Sequence, residues 1–233
     1  MVSLVFLLLA AAELVLLGWV LRQFAATREP SLALAAVPLA LQWVDAGIIG
    51  VGAWLGEGGT LLWFNQLRFF WHVVTLPVLI IGVGSILRAA RFPGLTKFWV
   101  MALFCITAVF AWAWQWPWWP QAEFHPACYA DTLRYVNKVA ADQMCRAGQS
   151  MGASAGFPVV GLVVIVLELL AGLWLWRRRG WPWLALGALL VLITAGTAQM
   201  RHGMLPSFVG DGLAMLAFAA TALRAHQWRR AGA

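Results

Sequence analysis

The sequence predicts an all-α fold, a polytopic transmembrane bundle of seven helices with its N-terminus outside and its C-terminus in the cytoplasm. Three observations predict it. Hydrophobic residues make up 63% of the chain and charged residues only 11%, whereas soluble domains carry about 25% charged residues. Lipid therefore has to replace the missing polar shell. The 233 residues hold seven apolar runs, each near the roughly 20 residues that a span requires. Basic residues gather at alternate ends of those runs, as the positive-inside rule demands.

Taken in order, the first span runs from about Val2 to Val20. It lacks the basic leader and the cleavage site of a secretory signal, and Arg22 and Arg28 follow it rather than precede it. The second covers about Leu32 to Leu55 with Pro38 inside, and the third about Leu67 to Leu87 with Pro77 inside. Proline bends a membrane helix without ending it when neighbours resatisfy the freed carbonyl. The fourth runs from about Phe98 to Trp116, the fifth from Phe157 to Trp176, the sixth from Trp183 to Thr197 and the seventh from Phe208 to Leu223. Trp19, Trp54, Trp116, Trp118, Trp119, Trp181 and Trp183 fall at span ends, where indole rings anchor at the lipid–water boundary.

Arg22, Arg28, Arg88, Arg91, Lys97, Arg177, Arg178, Arg179, Arg224, Arg229 and Arg230 share one side. Arg68, Arg134, Lys138, Arg146 and Arg201 lie on the other. The richer side is the cytoplasmic one, and an odd span count then places the N-terminus outside. The +7 net charge is read as topology and headgroup contact rather than as a nucleic-acid footprint. The bilayer is the expected partner, nucleic acid is not, and the compartment is a bacterial-type inner membrane.

The whole chain, 1–233, reads as one transmembrane domain. Its sizeable loop, about 117–152, is expected outside. Cys128 and Cys145 on that oxidising side predict a structural disulfide. Between them, Leu133, Val136, Val139 and Ala140 are spaced as one face of a short helix. Cys105 in the fourth span is read as a small core residue, and His125 and His226 as solvated or interfacial groups without a role.

Four carboxylates fall inside spans: Glu13, Asp45, Glu168 and Asp211. Each costs about 2.5–3.5 kcal/mol to place in lipid and must find a partner or a proton. Glu13 and Glu168 stand alone in apolar runs and are read first as packing hydrogen-bonders. Asp45 and Asp211 have polar company at their depth and are read first as functional. Arg68, His72 and Thr75 share a face of the third span at i, i+4 and i+7, with Asn65 just above. Gln42 joins Asp45 on the second span, Glu57 lies in the Gly-rich turn GEGG, and Gln199, Arg201 and His202 lie between the last two spans. Packed together, these would line a polar pocket in the outer half of the bundle. Arg68 would pair with Asp211 or Asp45, and His72 would carry a proton.

In site terms, His72 and Asp45 are the candidate acid–base pair. Arg68, Asp211, His202, Glu57 and Asn65 are the candidate ligand-binding groups. His72, His202, Asp45 and Asp211 are the residues a metal would use, but no HxxxH or HxxEH spacing marks a site and none is assigned. A haem between His72 and His202 lacks any CxxCH. The cofactor is left open.

The string RFFWHVVTLPVL, from Arg68, and DGLAM, from Asp211, carry a resemblance. Arg68, Thr75 and Pro77 match the third helix of microbial rhodopsins, and Asp211 matches the aspartate four residues before their retinal lysine. The resemblance implies seven helices, N-out, with Arg68 and Asp211 around a common pocket. The lysine position is Met215, which forms no Schiff base, so covalent retinal is not expected. Trp71 stands at the primary counterion position, and His72 where a tryptophan usually follows.

Three functions are consistent with these residues. The first is a small or lipid-like ligand, or a proton-coupled solute, taken into an outward-facing polar pocket. The second is a membrane-embedded lipid-modifying hydrolase using His72 and Asp45. The third is a non-catalytic subunit docked on another membrane protein.

Overall fold

The computed structural model describes residues 1–94, 98–152, 159–195 and 204–231, without the side chain of Trp118. Its helices are α1 Val2–Thr27, α2 Pro30–Leu55, α3 Gly59–Ala89, α4 Phe98–Gln115, α5 Val159–Arg179, α6 Trp183–Ile193 and α7 Leu205–Ala231. Six of them are long and apolar enough to cross a membrane. The seventh, α6, is apolar but short within the described residues, and the end of the expected sixth span lies outside them.

Connections are tight on the side of the first turn. Arg28 ends α1 in the left-handed region, at φ 54°, and donates its backbone N–H to Phe24. Pro30 then opens α2 at its first position, where a missing N–H costs nothing. Pro38 and Pro77 both lie inside unbroken helices.

α1, α2, α3 and α4 pack in sequence, as do α5, α6 and α7, and the two groups close where α7 meets α1, α2 and α3 and where α5 meets α3. The dense core lies in the arginine-rich half, around Leu32, Leu39, Ile80, Ile86, Leu175, Leu184 and Phe218. Small residues bring the helices close, as expected where lipid gives no hydrophobic drive between spans. A Cβ on Gly172 would stand 2.2 Å from the backbone nitrogen of Ala185, so α5 and α6 touch backbone to backbone. Outward faces are apolar, including Leu4, Leu8, Val15, Ile106, Phe110 and Leu170. α4 packs on α3 and turns most of its surface outward. Cys105 is on that outward face, not in the core as its apolar context predicts, because α4 is peripheral.

The loop after α4 corrects the expected short helix. A 3-10 turn at Trp116–Gln121 leads into an antiparallel hairpin, β1 His125–Tyr129 and β2 Thr132–Val136, with Cys128 opposite Leu133. Thr132, Tyr135 and Val136 favour a pleated strand, and the short turn at Ala130–Asp131 closes it, with Ala130 at φ 51°. The disulfide is Cys128–Cys145, as the sequence predicts. Leu133 and Tyr135 pack on Ile48 and Leu61, seating the hairpin on the ends of α2 and α3. Phe70, Trp116 and Trp119 form an aromatic cluster tying the loop to α3.

The hairpin also caps α1. Asp131 Oδ1 accepts the Val2 N–H at 2.7 Å and the Ser3 N–H at 3.3 Å, and its carboxylate pairs with the Met1 ammonium. The ammonium first, and these amides after it, hold the Asp131 carboxyl down from 3.8 to about 2. A depressed carboxyl stabilises the docked state fully above its unfolded value and loses that contribution as pH falls through the folded one. Amide exchange at Val2 and Ser3 should therefore stay slow down to about pH 4 and quicken as pH falls toward 2, and Asp131→Ala should show the fast rate at neutral pH.

Candidate functional site

The titratable groups within the helices lie about 9–20 Å from the hairpin-side helix ends. At about 1.5 Å rise per residue, Glu13 stands about 17 Å from the start of α1 and Asp45 about 15 Å from the end of α2. By the same rise His72 lies about 20 Å into α3, Glu168 about 14 Å into the described part of α5 and Asp211 about 9 Å into α7. All these helix ends lie at the hairpin side of an alternating bundle.

Asp45 is the hub. Arg68 Nε lies 2.7 Å from its Oδ1 and His72 Nε2 lies 2.9 Å from its Oδ2. Of the two partners left open by the sequence, Arg68 takes Asp45. Its Nη1 donates to Asn65 Oδ1 at 2.8 Å, and Asn65 Nδ2 donates to the Leu61 carbonyl at 2.8 Å. Asn65 thus positions the guanidinium. The Asp45 and Arg68 side chains are 7% and 8% exposed, while His72 is 36% exposed. Arg68 and Asp45 form the buried base of the site, and the imidazole is its accessible tip. Pairing through Nε2 with a carboxylate favours a proton on that nitrogen. On the hairpin, buried Arg134 donates to Gln143 at 2.6 Å and is an electrostatic neighbour of both Asp45 and Arg68.

Beside this cluster is a cavity of about 410 Å³. Asp45, His72, Thr75, Gln42 and Asp211 line it. So do Glu13 and Glu168, which the sequence suggested were packing groups. The rest of the wall is apolar, including Leu41, Leu76, Ile165 and Met215. Leu162 of α5 and Leu192 of α6 also line it and are 37% and 41% exposed.

Glu57 is not among the residues that line this cavity. It pairs with Arg146 of the loop at 2.5 Å, on the exposed surface above the bundle, because its glycine turn carries it past the end of α2. His202, Gln199 and Arg201 lie outside the described residues. No group of three or more His, Cys, Asp or Glu side chains among the described residues is arranged to hold a metal ion.

A second buried cluster lies at the arginine-rich end. Glu29, 1% exposed, accepts from Arg229 Nη2 at 2.6 Å, lies 3.0 Å from His226 Nδ1 and accepts the Ser31 hydroxyl at 3.2 Å. It fastens the α1–α2 turn to α7. His226, expected to be solvated or interfacial and without a role, is instead 6% exposed and paired with Glu29. α7 continues beyond the apolar run and folds that histidine onto Glu29.

No protein-family model, curated protein or solved structure matches this chain.

Proposed function

We propose that this is a seven-span, N-out/C-in protein of a bacterial-type inner membrane that takes a small or lipid-like ligand into an outward-facing intramembrane site and couples its binding or movement to protons. The observation that carries this reading is the Asp45–Arg68–His72 cluster beside a cavity that also holds Glu13, Glu168 and Asp211. Arg68 balances Asp45, His72 presents a titratable ring to the space, and the other carboxyls supply proton sites within reach of a bound solute. The segregated arginines and the disulfide-bonded hairpin support the orientation.

Purified protein in lipid nanodiscs is expected to carry a small molecule or lipid that unfolding releases. His72→Ala should lower that occupancy about tenfold, the equivalent of one charge-assisted hydrogen bond. A folded His72→Ala sample with unchanged occupancy would sink the reading.

The 2.9 Å contact between His72 and Asp45 favours one alternative, general acid–base hydrolysis of a lipid. Lipid turnover by the purified protein, abolished by Asp45→Asn, would select it.

A further inference from the structure

We infer that the cavity takes an organic cation, a protonated or quaternary amine on an apolar body, bound in exchange for a proton. The inference rests on the ligand-binding reading above and specifies its chemical class.

Charge balance is the first argument. Among the described residues the cavity wall carries four carboxyls, Glu13, Asp45, Glu168 and Asp211, and one imidazole, His72. Asp45 is already matched by Arg68 and His72. The other three have no cationic partner within salt-bridge distance among the described residues. Low-dielectric surroundings penalise uncompensated charge, which favours balance by protons or a bound cation. An anionic ligand would add to the imbalance.

Glu13 is the second and independent observation. It is 2% exposed, lines the cavity, and neither carboxyl oxygen has a hydrogen-bond partner. A buried polar group with empty valences is costly and calls for a ligand, a water or a role. Among the described residues its charged neighbours are both acids, Asp45 from α2 and Asp211 from α7. The charged neighbour of Glu168 is Asp211, and those of Asp211 are His72 from α3 and Asp45. A guest on Glu13 therefore meets acids from two other helices and His72 from a third.

The wall supplies the remaining specificity. Leu41, Leu76, Ile165, Phe208 and Met215 suit an apolar body. At about 410 Å³ the space is at the small end of ligand pockets. Binding breaks the O–H bond of a carboxylic acid, passes the proton to water and leaves a carboxylate against the cation. Affinity must then rise with pH, by up to about tenfold per unit for one proton exchanged.

The test uses the full chain in nanodiscs, with empty discs as reference. Three probes of similar size differ in charge: phenyltrimethylammonium, tert-butylbenzene and benzenesulfonate. The cation should bind at least about tenfold more tightly than the others, and more tightly as pH rises. Glu13→Gln should weaken it about tenfold and flatten the pH dependence, and Glu168→Gln is the second variant should the first not fold. Preferential binding of the neutral or anionic probe would overturn the cation assignment and leave the ligand-binding reading standing. Failure of all three to bind would overturn both. Wild-type affinity in either folded variant, with an unchanged pH slope, would also overturn the assignment.

Discussion

Asp45→Ala is expected to destabilise the protein by about 3–5 kcal/mol, the cost of stripping one partner from a buried ion pair. Arg68 would keep Asn65 and the Phe69 ring, 4.7 Å from its guanidinium carbon, but no anion among the described residues, and its guanidinium lies almost wholly out of solvent. His72 would lose its anchor at the same time. For a chain of this length, each kcal/mol moves the melting temperature by about 2–4 °C, so thermal unfolding in detergent should fall by about 10 °C. The charge itself is what matters, and a double variant shows it. Asp45→Ala combined with Arg68→Met removes both charges, and an apolar replacement of a buried pair is close to neutral. The double variant should recover most of the loss, a coupling that a thermodynamic cycle reads directly. An Asp45→Ala protein that melts with the wild type would mean that Arg68 finds another anion.

The spans were legible because a membrane imposes a length and a composition. α1, α2 and α6 begin within two residues of the apolar runs that predict them. α3 begins well before Leu67 because its polar first turns are still helical, with Asn65 bonding back to Leu61. The hairpin was not legible. Leu133, Val136 and Val139 satisfy a helical spacing, but β2 also alternates, and what decides between the two is the platform of Ile48 and Leu61 from distant sequence. The site was half legible. Spacing along α3 puts Arg68 and His72 on one face, and Asp45 follows as the acid at the same depth. Counting depth along every span would have placed Glu13 and Glu168 there too, where reading each run by itself did not. No local pattern tells Glu29 that His226 and Arg229 will reach it from the far end of the chain.

Gly52→Ala should lift the hairpin off the bundle at a cost of about 1–3 kcal/mol, the usual penalty for forcing a methyl group into packed space. A Cβ at that position would stand 1.8 Å from the Leu133 carbonyl oxygen and 3.0 Å from its carbon. Both are backbone atoms, so no rotamer change relieves the clash. The strand must move, taking Leu133 and Tyr135 from Ile48 and Leu61 and Arg134 from its place near Asp45. Gly18→Ala is the control, since a methyl there meets nothing within 4 Å. Amide exchange across Thr132–Val136 should quicken in Gly52→Ala alone, while Cys128 and Cys145 stay oxidised, because the disulfide closes the loop on itself and does not depend on docking. Protection of that strand unchanged in Gly52→Ala would mean that α2 yields in place of the hairpin. The same variant also separates two roles of the loop. If the docked strand holds the charge pattern around Asp45, undocking it should alter ligand occupancy with every cavity-lining side chain intact.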